Sequence, residues 1–259
     1  MRRERVPIVV VVLAAIGAAF FILPLVGLIV RSPWRDAVTA LTAPETVDAL
    51  KLSLLASLSA TAAGLLLGVP LAWIYARVEF PGRDLLRALT TLPMVLPPVV
   101  GGIALLLAFG RRGLFGSWLD TTFGITLPFT TVGVVMAETF VAMPFLILTV
   151  EAGLRSMDRR YEEAARALGA SRWRVFTRVT LPLIGPSLFA GAVLCWARAL
   201  GEFGATITFA GNFPGVTQTM PLAVYLLLDT NTSFILSLVL LVISLAVLVG
   251  LRHRWLGSA

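Results

Sequence analysis

One cysteine, one histidine and one lysine are all that this chain of 259 residues contains of those types. The lone Cys195 excludes a disulfide framework and a cysteine-built metal site, and the lone His253 leaves little imidazole chemistry. Charge is scarce too, at 14% of residues, where a soluble domain carries about 25%. Strict period-two alternation, the mark of a membrane barrel, is absent. What is abundant is apolar: 58% of residues are hydrophobic and the mean hydropathy is +0.92. Such a chain cannot stay disordered, and as a soluble monomer it would expose large apolar patches. It reads as an all-α, polytopic membrane protein.

A spanning helix needs about 20 predominantly apolar residues. Six runs qualify: Val6–Val30, Leu52–Ala76, Leu92–Phe109, Thr130–Val150, Leu183–Gly204 and Phe234–Leu251. The first follows a basic N-terminus but continues well past the roughly 7–15 apolar residues of a signal peptide, so it is expected to stay as a helix. The longest stretches between spans are too short for an independent core. Residues 1–259 therefore read as one transmembrane domain.

The net charge of +7 comes from twenty arginines and Lys51 set against 14 acidic residues. Its placement points to topology rather than nucleic acid. With the N-terminus inside, fifteen of the 21 basic residues fall in cytoplasmic loops: Arg2, Arg3 and Arg5, then Arg77, Arg83 and Arg87, then seven from Arg155 to Arg178, then Arg252 and Arg254. The opposite side holds Arg31, Arg35, Lys51, Arg111 and Arg112. The positive-inside rule thus puts both termini in the cytoplasm, and Trp34, Trp73, Trp118 and Trp255 lie near span ends, as interfacial aromatics do.

The most informative loop runs from Asp158 to Pro186 and reads as a helix, a break and a second helix. Asp158 can cap the first helix, with Glu162 and Glu163 in its early turns where the dipole favours anions. Gly169 supplies a left-handed residue past its end. Ser171 can cap a second helix over 172–179, with Trp173, Phe176 and Val179 at helical spacing, and Pro182 and Pro186 are expected to stop it. As a bare physical reading this is a solvated basic loop. Its spacing says more. Glu163-Ala164-Ala165, three residues, Gly169, nine residues, Val179, one residue, Leu181-Pro182 resembles the EAA motif of ABC importer permeases. Six of the seven fixed positions match; Val179 stands where the family pattern has Ile.

That resemblance implies a type I importer permease fold and a division of labour. Residues 158–182 would form the coupling helices, with Glu163, Ala164, Ala165, Leu168, Gly169, Val179, Leu181 and Pro182 meeting a separate ATPase. The chain has no Gly-x4-Gly-Lys-Ser/Thr loop for a phosphate. ATP and its magnesium would belong to two copies of the ATPase, and no cofactor or metal to this chain. A second copy of the permease and an extracytoplasmic binding protein complete the expected assembly in the cytoplasmic (inner) membrane. A second resemblance, from Arg198 through Asn212 to Tyr225 and at Leu92–Gly102, is to the molybdate branch of the oxyanion importers. Tungstate is commonly accepted there. Sulfate/thiosulfate permeases have a related segment, usually with Tyr where this chain has Phe203.

Residues for an anion path are less sharply marked. Pro97, Pro98, Gly101 and Gly102 can break the third span, either to aim amides at an oxyanion or only to shape packing. Arg198 and Glu202, four apart, form either a gate element near the dimer axis or a structural ion pair. Thr206 shares their segment. Glu138 has no evident partner. Gly64 and Gly68, extended by Ala60, permit close helix approach, within the subunit or across a dimer. The stretch 205–231 reads as a loop and carries no Lys or Arg, which suits a conduit that must release its cargo. An ion-coupled secondary transporter is the alternative of a different class; Glu138 and Glu202 could serve it, but the 163–182 motif would have no use there.

Overall fold

Backbone groups placed in lipid must be satisfied within the chain, and helices accomplish this throughout. The computed structural model describes residues 7–227 and 231–255, with side chains described except at 247, 248 and 251–255. Arg2, Arg3, Arg5 and Val6, and the side chains of Arg252, His253, Arg254 and Trp255, lie outside the described residues. Among the described residues there is no strand. The helices are α1 (Ile8–Arg31), α2 (Ala37–Thr42), α3 (Pro44–Arg77), α4 (Arg83–Thr91), α5 (Pro98–Phe109), α6 (Gly116–Phe123) and α7 (Thr131–Ser156). They continue as α8 (Arg160–Ala167), α9 (Arg172–Val175), α10 (Leu181–Leu183), α11 (Gly185–Leu200), α12 (Gly204–Phe209), α13 (Met220–Leu226) and α14 (Asn231–Trp255).

Three of these, α1, α3 and α7, are long and apolar enough to cross a bilayer. Two bent pairs raise the number to five if each is one span: Arg83–Met94 with Pro98–Phe109, bent by 118°, and Arg172–Leu183 with Gly185–Leu200, bent by 74°. The sixth expected span falls on α14, which is apolar over the shorter stretch Asn231–Ala246. α1 buries none of its residues and touches the rest of the chain through α14, as suits a helix surrounded by lipid.

The core is built by α3, α7 and α11. Ala56, Ala60, Gly64, Gly68 and Ala72 recur every fourth residue along α3, and all are buried. Such a row is a groove into which the ridge of a neighbour fits. A side chain on Gly68 would meet Met143, Leu146 and Ile147 of α7, each at 3.2 Å, and one on Gly64 would meet Cys195 Sγ of α11 at 3.3 Å. The Gly64/Gly68 pair therefore serves packing within the subunit, and Cys195 is a buried filler beside it.

Three expectations need correction. The run Leu92–Phe109 is not one helix: Leu92–Met94 is a 3-10 turn and α5 begins only at Pro98. Pro97 and Pro98 lack the donors to continue the preceding turn, and a residue before proline is held extended, as Pro97 is at ψ 131°. The fifth span is likewise shorter than Leu183–Gly204, because the chain breaks at Ile184 and again after Leu200. The stretch 205–231, read as a loop, contains most of α12 and all of α13. Helices of six and seven residues are shorter than the window in which helical periodicity shows.

The glycine groove can be tested by overpacking. Gly68→Leu should destabilise the solubilised protein by about 1–3 kcal/mol. Gly27→Leu, where a side chain meets nothing within 4 Å, should leave its melting temperature unchanged.

Candidate functional site

The segment from Asp158 to Ile184 folds as a hairpin whose local chemistry is visible residue by residue. Asp158 Oδ1 accepts from Arg160 N–H at 2.9 Å at the start of α8. Gly169 ends α8 at φ 83°, with its N–H donating to Arg166 O at 2.9 Å and Ala170 N–H donating to Ala165 O at 3.1 Å. Those two bonds make a Schellman cap, and the positive φ is why glycine stands there. Ser171 Oγ accepts from Arg174 N–H at 3.4 Å to open α9. Beyond this point the structure departs from expectation. The helix does not stop at Pro182; it passes through a π turn at Phe176–Thr180 into α10 and bends only at Ile184. A proline ring would clash with the carbonyl four residues back, and the wider π turn relieves that clash. Pro186 then sits in the first turn of α11, where a missing N–H costs nothing.

The hairpin has an outer and an inner side. Glu163, Ala164, Leu168 and Gly169 are exposed and Ala165 is half-buried. Leu168 is 90% exposed, and with Tyr161 and Ala164 it forms an uncovered side of α8. Val179 is half-buried, Leu181 packs against the main core and Pro182 is exposed. The expected coupling residues therefore split: four form an open surface, Leu181 ties that surface to the bundle, and the others lie between.

Glu162 is the anchor, a role that spacing alone did not give it. It is 3% exposed. Thr180 Oγ1 donates to its Oε1 at 2.8 Å, Arg77 Nε lies 3.2 Å from its Oε2, and Arg166 Nη2 lies 3.9 Å away. One carboxylate thus joins the end of α3, the face of α8 and the π turn. Arg159 Nη2 adds a bond to Ala76 O at 3.2 Å. A second buried carboxylate, Glu151, accepts from Arg87 Nε at 3.0 Å and Arg155 Nε at 2.9 Å, tying α4 to the end of α7. The i, i+4 partners Arg155 and Arg166 were within reach of pattern reading. Arg77 and Arg87, far away in sequence, were not.

The expected path residues lie where two helix breaks meet. α5 and α12 cross so closely that a side chain on Gly102 would meet Thr208 Cβ at 2.6 Å and Ala205 O at 2.9 Å, and one on Gly204 would meet Pro98 Cβ at 2.7 Å. Gly101 faces Phe140 of α7, while Pro97 stays exposed. Arg198 Nη1 pairs with Glu202 Oε2 at 2.6 Å, and Glu202 Oε1 accepts from Ala205 N–H at 2.8 Å. Thr206 is fully buried. Glu138 of α7 is 1% exposed, and its Oε2 has no hydrogen-bond partner among the described residues. Pro98 and Gly102 of α5 are brought against Gly204, Ala205 and Thr208 of α12, and Arg198 and Glu202 pair beside its start. Gly101 and Thr206 are buried, and Pro97 stays exposed.

A bundle of apolar helices carrying a braced hairpin with an uncovered apolar side has the build of a multi-pass membrane protein, and its relatives are transport-system permeases rather than enzymes. Residues 64–258 match the family model of the binding-protein-dependent transport system inner membrane component, and the chain belongs to that family of multi-pass inner-membrane proteins. It is 45% identical over 243 residues to the molybdenum transport system permease protein ModB of Mycobacterium bovis, covering 93% of this chain and 92% of the relative. The sulfate transport system permease protein CysT of Escherichia coli is 39% identical, over 80% of this chain and 76% of that one. Among solved structures, a bacterial ABC transporter involved in the import of the acidic polysaccharide alginate superposes with a TM-score of 0.70 at 19% identity, covering 95% of this chain and 93% of that one. At that identity the likeness is one of fold.

Removing one member of a buried ion pair strands its partner and costs about 3–5 kcal/mol. Glu162→Ala should therefore loosen the hairpin and expose its arginines to rapid trypsin cleavage. Glu163→Ala, one residue further along, should leave the digestion rate near wild type.

Proposed function

We propose that this chain is the permease subunit of an ATP-driven importer of molybdate, and of tungstate by shared oxyanion chemistry. The observation that carries the coupling mechanism is the hairpin: an apolar outer side open for a partner, on a base locked to α3 through Glu162. In this reading the 158–182 hairpin of each permease copy docks into one of two ATPase subunits that bind ATP and magnesium. An extracytoplasmic binding protein selects the oxyanion, and two permease copies form the conduit. The two bent pairs, α14 and the arginine distribution support a reading of six spans with both termini in the cytoplasm.

The mechanism is a lever. A displacement of the docked hairpin reaches α3 through Glu162–Arg77 and the core through Leu181, while Glu151–Arg87 keeps α4 moving with α7. Small side chains on α8 let the surfaces approach closely. A tightly held oxyanion would be hard to release, and the stretch 205–231 offers it no cation. The sulfate relative keeps a second substrate in view, at lower identity than the molybdenum one.

The deciding measurement is ATP hydrolysis in proteoliposomes holding the permease, its ATPase and its binding protein. Molybdate and tungstate should each stimulate hydrolysis while sulfate at the same concentration should not; stimulation by sulfate alone would reassign the cargo. For the hairpin, Gly169→Trp confounds docking with backbone strain at φ 83°. Ala164→Trp is the cleaner variant, being exposed and helical. It should insert normally yet lose most substrate-stimulated hydrolysis, and full stimulation in that variant would remove the docking surface from the proposal.

A further inference from the structure

Between the hairpin and the end of α3 lies a cavity of about 300 Å³ lined by Arg77, Arg159, Arg166, Arg172, Glu162 and Glu163, among others. Four guanidinium groups against two carboxylates leave it with a net charge of two positive. Arg77 is the telling member. Its side chain is only 7% exposed, and although Nε is 3.2 Å from Glu162, neither Nε nor Nη2 is aligned in a hydrogen bond to any described residue. Buried guanidinium donors are rarely left so, because each unsatisfied donor costs the full desolvation of the group. Arg172, on the same wall, forms no ion pair among the described residues.

A second cavity of about 320 Å³ adjoins the first and shares Trp73, Arg172 and Phe176 with it. Its remaining walls are Pro70, Ile74 and Trp173, so it is an apolar groove. Pro70, Ile74 and Trp173 are exposed, and Trp173 is 73% so. A tetrahedral oxyanion would account for the cationic cavity alone. It would not account for an apolar groove running out of it past two tryptophans of the kind that mark a membrane surface.

We propose that the two cavities form one site for an anionic phospholipid of the cytoplasmic leaflet. The headgroup phosphate sits in the cavity against Arg77 and Arg172, and an acyl chain lies in the groove between Trp73 and Trp173. Basic pockets between helices on the cytoplasmic side are suited to such headgroups. The lipid would brace the hairpin base beside Glu162, so that the coupling element is seated on the bilayer as well as on α3. The proposal rests on the reading of this hairpin as the cytoplasmic element.

The test is native mass spectrometry of the full chain released from nanodiscs of equal phosphatidylcholine and phosphatidylglycerol. One phosphatidylglycerol per chain should be retained, enriched about thirtyfold over phosphatidylcholine. Arg172→Gln should cut that retention about fivefold, and Trp173→Ala should also lower it, whereas Arg112→Gln, outside both cavities, should not. Equal retention of the two lipids, or an Arg172→Gln variant that behaves like Arg112→Gln, overturns the site. Displacement of the lipid by inorganic phosphate overturns the lipid in favour of a free oxyanion. Because retention is read on the permease itself, failure of the chain to join any ATPase would sink the importer reading and leave the lipid result standing.

Discussion

A buried carboxylate at the base of the hairpin is the constraint on which the rest of this molecule depends. Glu162 is withdrawn from water, and its buried charge is compensated only while its partners remain in place. Those partners belong to three different elements: Arg77 closes the longest helix of the bundle, Thr180 lies in the π turn, and Arg166 is on the same helix as Glu162 itself. Separating any of them from the carboxylate exposes the remainder to an uncompensated charge, so the hairpin moves with α3 or not at all. A hinge in that place would dissipate any displacement passed from the hairpin to the bundle.

Rigidity at the base is matched by rigidity in the bundle, reached by a different route. Lipid supplies no hydrophobic drive between helices, so association has to come from close packing. The small residues at every fourth position of α3 let α7 and α11 approach until backbone and side chain interlock. α3 therefore carries both functions on one helix: its middle is the packing spine, and its last residue is the counter-ion of the hairpin. α1 contributes neither and buries none of its residues.

The sequence disclosed the parts of this design that are local. Continuous apolar runs located α1, α3 and α7 with ends within a few residues, apart from the start of α3 at Pro44 and the end of α7 at Ser156, both well beyond the runs. The Asp158, Gly169 and Ser171 signals marked the hairpin's two helices, because caps are built from neighbours. Information was lost wherever the partner is distant. Glu162 and Glu163 are chemically alike and adjacent, and only the fold decides that the first is buried against Arg77 while the second faces outward. Pro182 was read as a stop because proline interrupts an α-helix; that a π turn could absorb it depends on the packing of Phe176 and Leu181 against the core. The prolines marked a possible break at Pro97, whereas the break after Leu200 was too short for periodicity to separate from a continuous span.

Those two breaks bear on how an oxyanion could cross. Helix N-termini are the usual places for an anion inside a membrane protein, and the breaks create two, at Pro98 and Gly204. Both are already engaged. Glu202 has placed its own carboxylate at the start of α12, on Ala205 N–H, and Arg198 neutralises it in turn. At α5 the Val100 and Gly101 N–H groups reach Pro97 O, and Gly204 is pressed against Pro98 and Val99. The arrangement in this conformation is that of packing, with the breaks locked against each other. An anion could gain either terminus only after α12 shifts from α5, which would free the N-terminus of α5, or after Glu202 gives up Ala205 N–H. A site that opens only on such a movement has low affinity at rest. Low affinity at rest is what a conduit requires when a separate protein performs the selection.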